Sequence, residues 1–305
     1  MTLTELRYIV ALSQERHFGR AAERCFVTQP TLSLAIKKLE DELDTPLFER
    51  NKNEVIVTAI GEKIVEQARR VLDEANRITD LAKGGGDQLA GVLRLGVIPT
   101  IGPYLLPQLI SGLGKRAPDM PLAIEENLTG SLGPLLRQGE IDAAIIALPF
   151  HIPGVKTRLL YEEPFKVVVP ASHPWKKRKH IKAAELSGEN LLTLNSGHCF
   201  RDQVLEACPG QAPNALAEGR AGNSLETIRN MVASGLGVSV LPASALAKAY
   251  QPYNSRVLAV IDFADPAPSR KVAIAWREGF ARPLAIVALI ESVHHIKMPS
   301  VALKC

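Results

Sequence analysis

A long helical pattern between Thr58 and Lys83 limits the possible folds of this chain more than any other feature of its sequence. The apolar residues of the pattern are spaced alternately four and three apart and form a narrow stripe: Ile64, Ala68, Val71, Ala75, Ile78 and Ala82, widened by Val65 and Leu72. Such a stripe on an otherwise charged helix has little to pack against within one small domain, so we expect it to pair with the same helix of a second copy. Gly84-Gly85-Gly86 follows, and this run predicts the end of the helix, a hinge and a domain boundary.

The length and composition favour a soluble protein of two domains. The chain has 305 residues, of which 46% are hydrophobic and 22% are charged, as in ordinary globular proteins. We expect a first domain over 1–58, a linker helix and hinge over 59–87, and a larger domain over 88–305. The N-terminus lacks the pattern of a signal peptide, and no apolar run approaches the roughly 18 residues of a membrane span. We therefore expect a cytoplasmic protein without membrane contact.

The first domain has the pattern of a helix-turn-helix. Two short helices precede Thr28, which can cap a third helix whose first turn contains Gln29 and Pro30. One face of that third helix is apolar and the other is mainly polar; the apolar face holds Leu32, Ile36, Leu39 and Leu43, and the other holds Pro30, Ser33, Leu34, Lys37 and Asp41. This arrangement is typical of a recognition helix that enters the major groove of DNA. A plain three-helix bundle with solvated charges explains the same periodicity.

A short hairpin after the third helix favours the DNA-binding interpretation. The segments 46–50 and 55–57 flank Asn51-Lys52-Asn53, which gives a hairpin with a basic tip, as in a wing. Arg50 and Lys52 are then expected to contact phosphate, which positions a protein without reading sequence. Residues 1–57 nevertheless contain eight Lys or Arg against nine Asp or Glu. The nucleic-acid hypothesis therefore depends on where these charges lie.

Beyond the glycine run, apolar strands alternate with helices, which predicts a parallel α/β sheet. Ligands of such sheets bind beyond the carboxyl ends of the strands. Thr100, Thr129 and the pair His198-Cys199 follow three predicted strands, so a cleft lined by them is expected. Helix capping is the alternative role for each threonine. Two further strands, 165–170 and 271–276, are long enough to cross between two subdomains.

Two of the four cysteines, Cys199 and Cys208, suggest a reactive thiol with a partner nearby. The pKa of a thiol falls beside cations and at a helix N-terminus. His198 and Arg201 are close in sequence, and Ser196 is expected to cap a helix that follows. Two inert core cysteines are the alternative. In a reducing cytosol a bond between them would be transient, and the spacing of Cys and His residues does not favour a zinc site.

The spacing of the two cysteines sets a geometric condition. If the segment from Cys199 to Cys208 is helical, nine residues place the two thiols on opposite faces and about 13 Å apart. A disulfide needs Cα atoms within about 7 Å. Bond formation would therefore require local unfolding. Cys25 is interpreted as a core residue, and no role is assigned to Cys305.

Several motifs together resemble the LysR-type transcriptional regulators over the whole chain. The motifs are His17-Phe18-Gly19-Arg20-Ala21-Ala22-Glu23, Val27-Thr28-Gln29-Pro30-Thr31-Leu32-Ser33, Leu39-Glu40-Asp41-Glu42-Leu43 and Pro46-Leu47-Phe48-Glu49-Arg50. The blocks 96–107, 197–203 with Cys208, and 224–232 resemble those of the hydrogen-peroxide sensors of that family. The resemblance implies an α/β protein with an N-terminal winged helix-turn-helix, a dimerisation helix and a periplasmic-binding-protein-like regulatory domain of two α/β subdomains.

The resemblance also implies roles for particular residues. Cys199 would be the peroxide-reactive thiol and Cys208 its disulfide partner. The residues that would place the peroxide are Thr100, Thr129, His198, Asp202 and Arg270. The residues that would contact DNA are Thr28, Gln29, Pro30, Thr31, Ser33, Lys37, Arg50 and Lys52. The sequence Pro209-Gly210 after Cys208 departs from the pattern and bears on the rate of disulfide formation.

The implied function is control of oxidative-stress genes by a regulator that is not an enzyme and has no cofactor. Its expected partners are promoter DNA, a second copy through the 59–83 helix, further copies in a homotetramer, RNA polymerase and a thiol reductant. Two alternatives are a regulator of the same family that binds a small metabolite in the cleft, and a thiol peroxidase. A catalyst, however, has little use for a winged-helix pattern and a dimerisation helix.

Overall fold

A computed structural model describes residues 1–51, 54–84, 87–208, 221–246, 257–296 and 302–303. The chain divides into two compact units, Met1–Gly85 and Gly86–Cys305. Several residues singled out in the sequence lie outside the described ranges: Lys52 at the hairpin tip, Gly85 and Gly86 of the hinge, Pro209 and Gly210 after the second cysteine, and Cys305. Within the described residues, no helix is long and apolar enough to cross a membrane.

The first unit contains the predicted helices and hairpin. Its elements are α1 (Leu3–Glu15), α2 (Phe18–Arg24), α3 (Gln29–Glu42), β1 (Phe48–Asn51), β2 (Glu54–Val57) and α4 (Ala59–Gly84). Side chains cap four helix starts: Thr2 accepts from the Glu5 N–H, His17 Nδ1 from the N–H groups of Gly19 and Arg20, Thr28 from the Thr31 N–H, and Thr58 from the Gly61 N–H. These caps satisfy N–H groups that have no partner within their helices.

The two faces of α3 differ as its sequence predicts. Leu32, Ile36 and Leu39 are fully buried in the core of the first unit, whereas Leu34 and Lys37 are exposed. Burial of three large aliphatic side chains contributes on the order of 5 kcal/mol. This face fixes α3 against α1 and α2 and leaves its other face open to solvent.

The prediction that the stripe of α4 has little to pack against in its own domain is wrong for the first half of the helix. Val65 and Ala68 are 3% exposed and belong to the core of the first unit, because α1 packs along this part of α4. Ile64, Val71 and Leu72 are partly buried against the same core. Farther along, Ile78 is 71% exposed. Among the stripe residues whose side chains are described, Ile78 is therefore the one most open to a second copy.

The second unit is built on a mixed sheet with helices on its faces. Its strands are β3 (Leu93–Val97), β4 (Leu122–Glu126), β5 (Ala143–Ala147), β6 (Val155–Pro170), β7 (His180–Ile181), β8 (Leu191–Leu194), β9 (Ala221–Gly222), β10 (Val238–Pro242), β11 (Leu258–Phe263), β12 (Ser269–Arg277) and β13 (Ala302–Leu303). Its helices are α5 (Gly102–Arg116), α6 (Thr129–Gln138), α7 (Cys199–Ala207), α8 (Leu225–Ala233) and α9 (Pro283–His294). The strand order is β4-β3-β5-β12-β6-β10-β8-β9, and β11 and β13 also pair with β6.

Strand β6 crosses between two α/β subdomains, as predicted for the segment 165–170. Its residues 155–164 pair with β12, and its residues 165–170 pair with β10 and β11. One apolar core surrounds β3, β5 and β12, and a second surrounds β8, β10 and the end of β6. In each subdomain parallel pairs such as β3 with β5 and β8 with β10 place strand carboxyl ends together. The predicted cleft therefore has a structural basis where these ends meet.

A glycine at the start of α4 allows a close approach of two backbone segments. A Cβ atom added at Gly61 would lie 2.3 Å from the carbonyl oxygen of Leu47. We expect Gly61→Ala to lower the free energy of unfolding by about 2 kcal/mol, because the backbone must shift to relieve this overlap. The matched control is Gly114→Ala in α5, where no atom lies within 4 Å of the added Cβ. That substitution should stabilise by about 0.5–1 kcal/mol. Equal effects in urea unfolding would contradict this.

Candidate functional site

Cys199 is the first residue of α7, and the residue before it, His198, occupies the N-cap position without a side-chain hydrogen bond. The prediction that Ser196 caps this helix is wrong. The chain turns at Gly197, whose φ of +95° is a left-handed conformation that favours glycine, and the helix begins only after this turn. An added Cβ at Gly197 would also lie 3.1 Å from Leu128 Cδ1. The N–H groups at this end of α7 therefore remain without a capping side chain.

The thiol of Cys199 accepts a hydrogen bond from the hydroxyl of Thr129. The distance from Thr129 Oγ1 to Cys199 Sγ is 3.6 Å. Thr129 is the first residue of α6, where it makes no cap, so its hydroxyl is directed at the sulfur and the capping alternative does not apply to it. The dipole of α7 and this donor both stabilise negative charge on the sulfur. The structure thus brings together two residues that are 70 positions apart.

The cations expected beside Cys199 contribute less than the sequence predicts. Burial lowers the pKa of His198 from its ordinary value of 6.5, so its imidazole is neutral at pH 7 and adds no full positive charge. Arg201 lies 3.5 Å from the carboxylate of Asp202, whose side chain is 70% exposed. The carboxylate opposes the effect of Arg201 on the sulfur. Among the described residues, the N-terminus of α7 and the hydroxyl of Thr129 are therefore the main groups that favour negative charge on the Cys199 sulfur.

Arg270 lies at the beginning of β12 and is completely buried. Its Nη1 donates to Thr100 Oγ1 and its Nη2 to the Thr100 carbonyl oxygen, each at 2.9 Å. Its Nε donates to Glu163 Oε2 at 2.8 Å, and both side chains of this ion pair are 0% exposed. The other oxygen of Glu163 accepts from the Ser244 N–H at 2.6 Å. Thr100 therefore serves this network and does not cap α5.

Phe200 connects the Arg270 network to α7. Its ring is 2% exposed and lies 5.1 Å from the guanidinium carbon of Arg270. An edge-to-face contact at 5.1 Å joins it to Phe165 of β6. On the same helix, the Gln203 side-chain amide donates to the Leu148 carbonyl oxygen at 3.1 Å. The first two turns of α7 are thus fixed to both subdomains.

Cys208 ends α7 and is 1% exposed within the core around β8 and β10. Cys199, by contrast, packs at the margin of the core around β3 and β5. Both thiols are free. The segment is helical, as the geometric condition required. Nine residues of helix separate Cys199 from Cys208 by about 13 Å, which is too far for a disulfide. Burial raises the pKa of Cys208 to about 11.

The other cysteine in the described residues, Cys25, lies at the C-terminal end of α2. It is partly buried against the core of the first unit, and burial raises the pKa of its thiol. These features support its interpretation as a core residue.

The expected DNA-contacting residues lie at the N-terminal end of α3, but not all are equally accessible. Gln29, Pro30, Thr31 and Lys37 are exposed. The Thr28 hydroxyl caps the helix and lies 2.8 Å from the Thr31 hydroxyl. The remaining three differ: Ser33 is half-buried, the side chain of Arg50 is not among those described, and Lys52 lies outside the described residues.

Sequence reasoning missed Glu163 and Phe200. Glu163 does not stand out in the sequence, because β6 also contains Lys156, Arg158, Glu162 and Lys166. Its partner lies 107 residues away, which no local pattern reveals. Within the described residues no cluster of His, Cys, Asp or Glu is arranged to hold a metal ion. The chemistry that this site offers is that of a thiol with hydrogen-bond donors.

The fold and site define a winged helix-turn-helix regulator whose second unit holds a thiol at a helix N-terminus. The chain belongs to the LysR family. Residues 3–62 match the model of the bacterial regulatory helix-turn-helix protein, lysR family, and residues 86–296 match the LysR substrate binding domain.

Several named relatives and solved structures are similar to this chain over most of its length. A hydrogen peroxide-inducible genes activator of Dickeya chrysanthemi is 40% identical over 279 residues, covering 92% of this chain and 90% of that protein. The DNA-binding transcriptional dual regulator OxyR of Escherichia coli K12 is 40% identical over 280 residues, with the same coverage. Full-length OxyR of Pseudomonas aeruginosa with a cysteine-to-aspartate substitution is 52% identical, covering 100% of this chain and 99% of that one, with a TM-score of 0.73. A peroxide-bound cysteine-to-serine variant of Corynebacterium glutamicum OxyR is 34% identical, covering 96% and 91%, with a TM-score of 0.63.

The raised pKa of Cys208 makes the stability depend on pH. Since its pKa of about 11 in the folded protein lies above its ordinary value of 9.0, the neutral thiol stabilises the fold fully below pH 9. That contribution, about 3 kcal/mol for two units, is lost as the pH rises towards 11. We expect the difference in unfolding free energy between the wild type and Cys208→Ala to fall by this order over pH 9–11. A difference independent of pH in urea unfolding would contradict the burial of this thiol.

The hydrogen bond from Thr129 should control the reactivity of Cys199. We expect Thr129→Val to slow the alkylation of Cys199 by iodoacetamide at pH 7 by about tenfold, since a hydrogen bond to a charged group contributes roughly 1.5 kcal/mol. Thr129→Ser is the matched control because it keeps the hydroxyl. Peptide mass spectrometry measures the rate at each cysteine. Equal slowing in both variants would show that packing, rather than the donor, is responsible.

Proposed function

We propose that this chain is a DNA-binding transcriptional regulator that senses hydrogen peroxide by a reversible disulfide between Cys199 and Cys208, and so controls oxidative-stress genes. One observation carries the proposal: a free thiol with a hydroxyl donor lies at the N-terminus of α7, and a second, buried thiol ends the same helix. The relatives named for peroxide induction, and the related structure with hydrogen peroxide bound, support it.

The chemistry needs only the two thiols and the oxidant. The thiolate of Cys199 attacks one peroxide oxygen, the O–O bond breaks, and the departing hydroxide takes a proton to become water. Cys199 is then a sulfenic acid. The thiolate of Cys208 attacks that sulfur, which forms the disulfide and releases a second water. Two electrons pass from the pair of thiols to the peroxide, and a dithiol reductant restores them.

The peroxide-placing roles of Thr100, Thr129, His198, Asp202 and Arg270 belong to this proposal. The Thr100 hydroxyl oxygen accepts from Arg270, so its own proton remains available to donate to a peroxide oxygen. His198, being neutral, is able to accept the peroxide proton. Arg270 directs its described donors at Thr100 and Glu163, and we assign it the positioning of Thr100. Asp202 is three residues beyond Cys199 and lies at the exposed edge of α7.

Oxidation must be followed by rearrangement of α7. To meet Cys199, Cys208 has to leave the core around β8 and β10. The same movement would disrupt the hydrogen bond from Gln203 to Leu148 and expose Phe200. The disulfide then forbids the original helix, so the segment is a two-state element that a redox signal biases. Pro209-Gly210, beyond the described residues, borders this segment and bears on the rate.

The remaining partners follow from the same proposal. Promoter DNA binds the exposed N-terminal end of α3. Because this partner lies in the cytoplasm, we place the protein there. A second copy covers the second half of the α4 stripe, where Ile78 is exposed. We further propose a homotetramer, contact with RNA polymerase, and a stoichiometric rather than enzymatic use of peroxide.

A single-turnover oxidation tests the function. One equivalent of hydrogen peroxide is added to the reduced full-length protein, and each cysteine peptide is analysed by mass spectrometry. We expect one disulfide joining Cys199 to Cys208, a sulfenic acid at Cys199 in Cys208→Ser, and no reaction in Cys199→Ser. Cys25→Ser is the control and should behave as the wild type.

Further measurements separate the alternatives. Consumption of many equivalents, when peroxide and a dithiol reductant are supplied in excess, would indicate a thiol peroxidase. A Cys199→Ser protein that still activates its promoter in response to its inducer would indicate a metabolite in the cleft. Equal reaction of all cysteines would overturn the proposed sensing by Cys199. Unchanged amide-exchange protection from Phe200 to Cys208, despite a confirmed disulfide, would overturn the proposed rearrangement of α7.

A further inference from the structure

A strongly basic segment lies in the second unit, far in sequence from the helix-turn-helix. Residues 173–182, called the basic segment, contain five Lys or Arg and no Asp or Glu: Lys176, Lys177, Arg178, Lys179 and Lys182. The whole chain has 36 Lys and Arg against 32 Asp and Glu, a net charge of +4. Without the basic segment the counts are 31 and 32, a net charge of −1. The other 295 residues together therefore have no positive excess.

The basic segment is well positioned by its backbone. A short 3₁₀ helix, Pro174–Lys177, is capped by His173, whose Nδ1 accepts from the Trp175 N–H at 3.2 Å. Strand β7 pairs with β11, and the Lys179 carbonyl oxygen accepts from the Asp262 N–H at 3.2 Å. Trp175 makes an edge-to-face contact with His173 and lies 5.8 Å from the Arg178 guanidinium carbon. The lysines thus extend from a fixed surface of the second subdomain.

The nearby carboxylates do not neutralise these lysines. Glu185 binds Arg178 through two hydrogen bonds of 2.7 and 3.0 Å. Asp262, opposite His180 in the strand register, binds Lys166 at 2.7 Å, and Glu189 faces His173 at 3.5 Å.

Three cations remain. Lys176, Lys177 and Lys179 are exposed and form no ion pair with any residue that the structure describes, whereas Lys182 interacts with Glu185. Three residue steps span at most about 10 Å, whereas phosphates of one DNA strand advance roughly 3.4 Å along the axis. The three lysines are therefore close enough together to meet neighbouring phosphates of one duplex.

The net charge of the DNA-binding unit gives the basic segment a possible role. Residues 1–57 carry eight Lys or Arg against nine Asp or Glu, so the recognition unit has no positive excess of its own. Attraction to a duplex, and the release of counterions that drives binding, require cations that meet phosphates.

We propose that the basic segment is a second DNA-binding surface, which contacts the phosphate backbone of duplex DNA. This inference rests on the DNA-binding part of the proposed function. Because lysine contacts to phosphate carry no base information, the segment raises affinity for all sequences alike and leaves the choice of operator to α3.

Matched charge variants of the full-length protein test this proposal. The test variant is Lys176→Gln/Lys177→Gln/Lys179→Gln. The control is Lys115→Gln/Lys156→Gln/Lys271→Gln, which removes the same charge from exposed lysines elsewhere in the second unit. Affinity is measured at several salt concentrations on a long duplex containing the operator and on an unrelated duplex of equal length. Circular dichroism and urea unfolding verify that both variants are folded.

We expect the test variant to bind both duplexes at least tenfold more weakly near 150 mM salt. The slope of log affinity against log salt should shrink by about 0.9 for each phosphate that the variant no longer neutralises. The ratio of operator to unrelated affinity should stay within twofold of the wild type, and the control variant should bind as the wild type does. This combination would support the proposal.

Three results would overturn the proposal without touching the peroxide chemistry. Unchanged affinity and slope in the test variant would show that the segment does not meet DNA. Equal weakening in the two variants would reveal an effect of net charge alone. Normal DNA binding with reduced transcription by purified RNA polymerase would assign the segment to an acidic protein surface. If the wild type itself bound no operator, the proposed DNA-binding function would fail instead.

Discussion

The arrangement of the second unit depends on one buried cation, the guanidinium of Arg270. A charge removed from water is tolerated only where a counter-charge and hydrogen-bond acceptors surround it. Glu163 supplies the charge from β6 beside the point where that strand passes between subdomains, and Thr100 supplies both of its oxygens. Phe200 covers the guanidinium from α7. One network therefore connects β12, β6, the end of β3 and the helix that bears Cys199.

The sequence predicts elements whose partners are local and fails where the partner is distant. The apolar face of α3 was readable because Leu32, Ile36 and Leu39 pack within the same small unit. The stripe of α4 has the same kind of pattern, but periodicity does not say which surface covers it, and α1 covers its first half. Thr129 and Cys199 were placed in one cleft from strand ends alone, and their contact confirms that inference. Ser196 was wrongly predicted to cap α7 because the left-handed turn at Gly197 was not evident from the sequence. Glu163 was missed because its partner, Arg270, lies 107 residues away.

The packing of α7 determines how strongly oxidised a cell must be before the proposed switch operates. Phe200 and Cys208 are almost completely buried, and their release costs on the order of 5 kcal/mol. For a two-electron couple, about 1.4 kcal/mol corresponds to about 30 mV. A reduced state stabilised by that amount makes the disulfide roughly 100 mV easier to reduce than an unstrained one. The same burial that prevents idle oxidation of Cys208 therefore allows a thiol reductant to reset it.

Coupling between the thiols and DNA must act in both directions. If the disulfide form binds an operator more tightly than the dithiol form, thermodynamic linkage requires the operator to favour the disulfide by the same factor. A tenfold preference in DNA affinity corresponds to a shift of about 30 mV in the potential of the Cys199–Cys208 couple. Phosphate contacts that are equal in both redox states add affinity without adding to that shift. The basic segment lies outside α7, the helix that the proposed oxidation rearranges, so its proposed phosphate contacts would hold the sensor on DNA while the redox state changes.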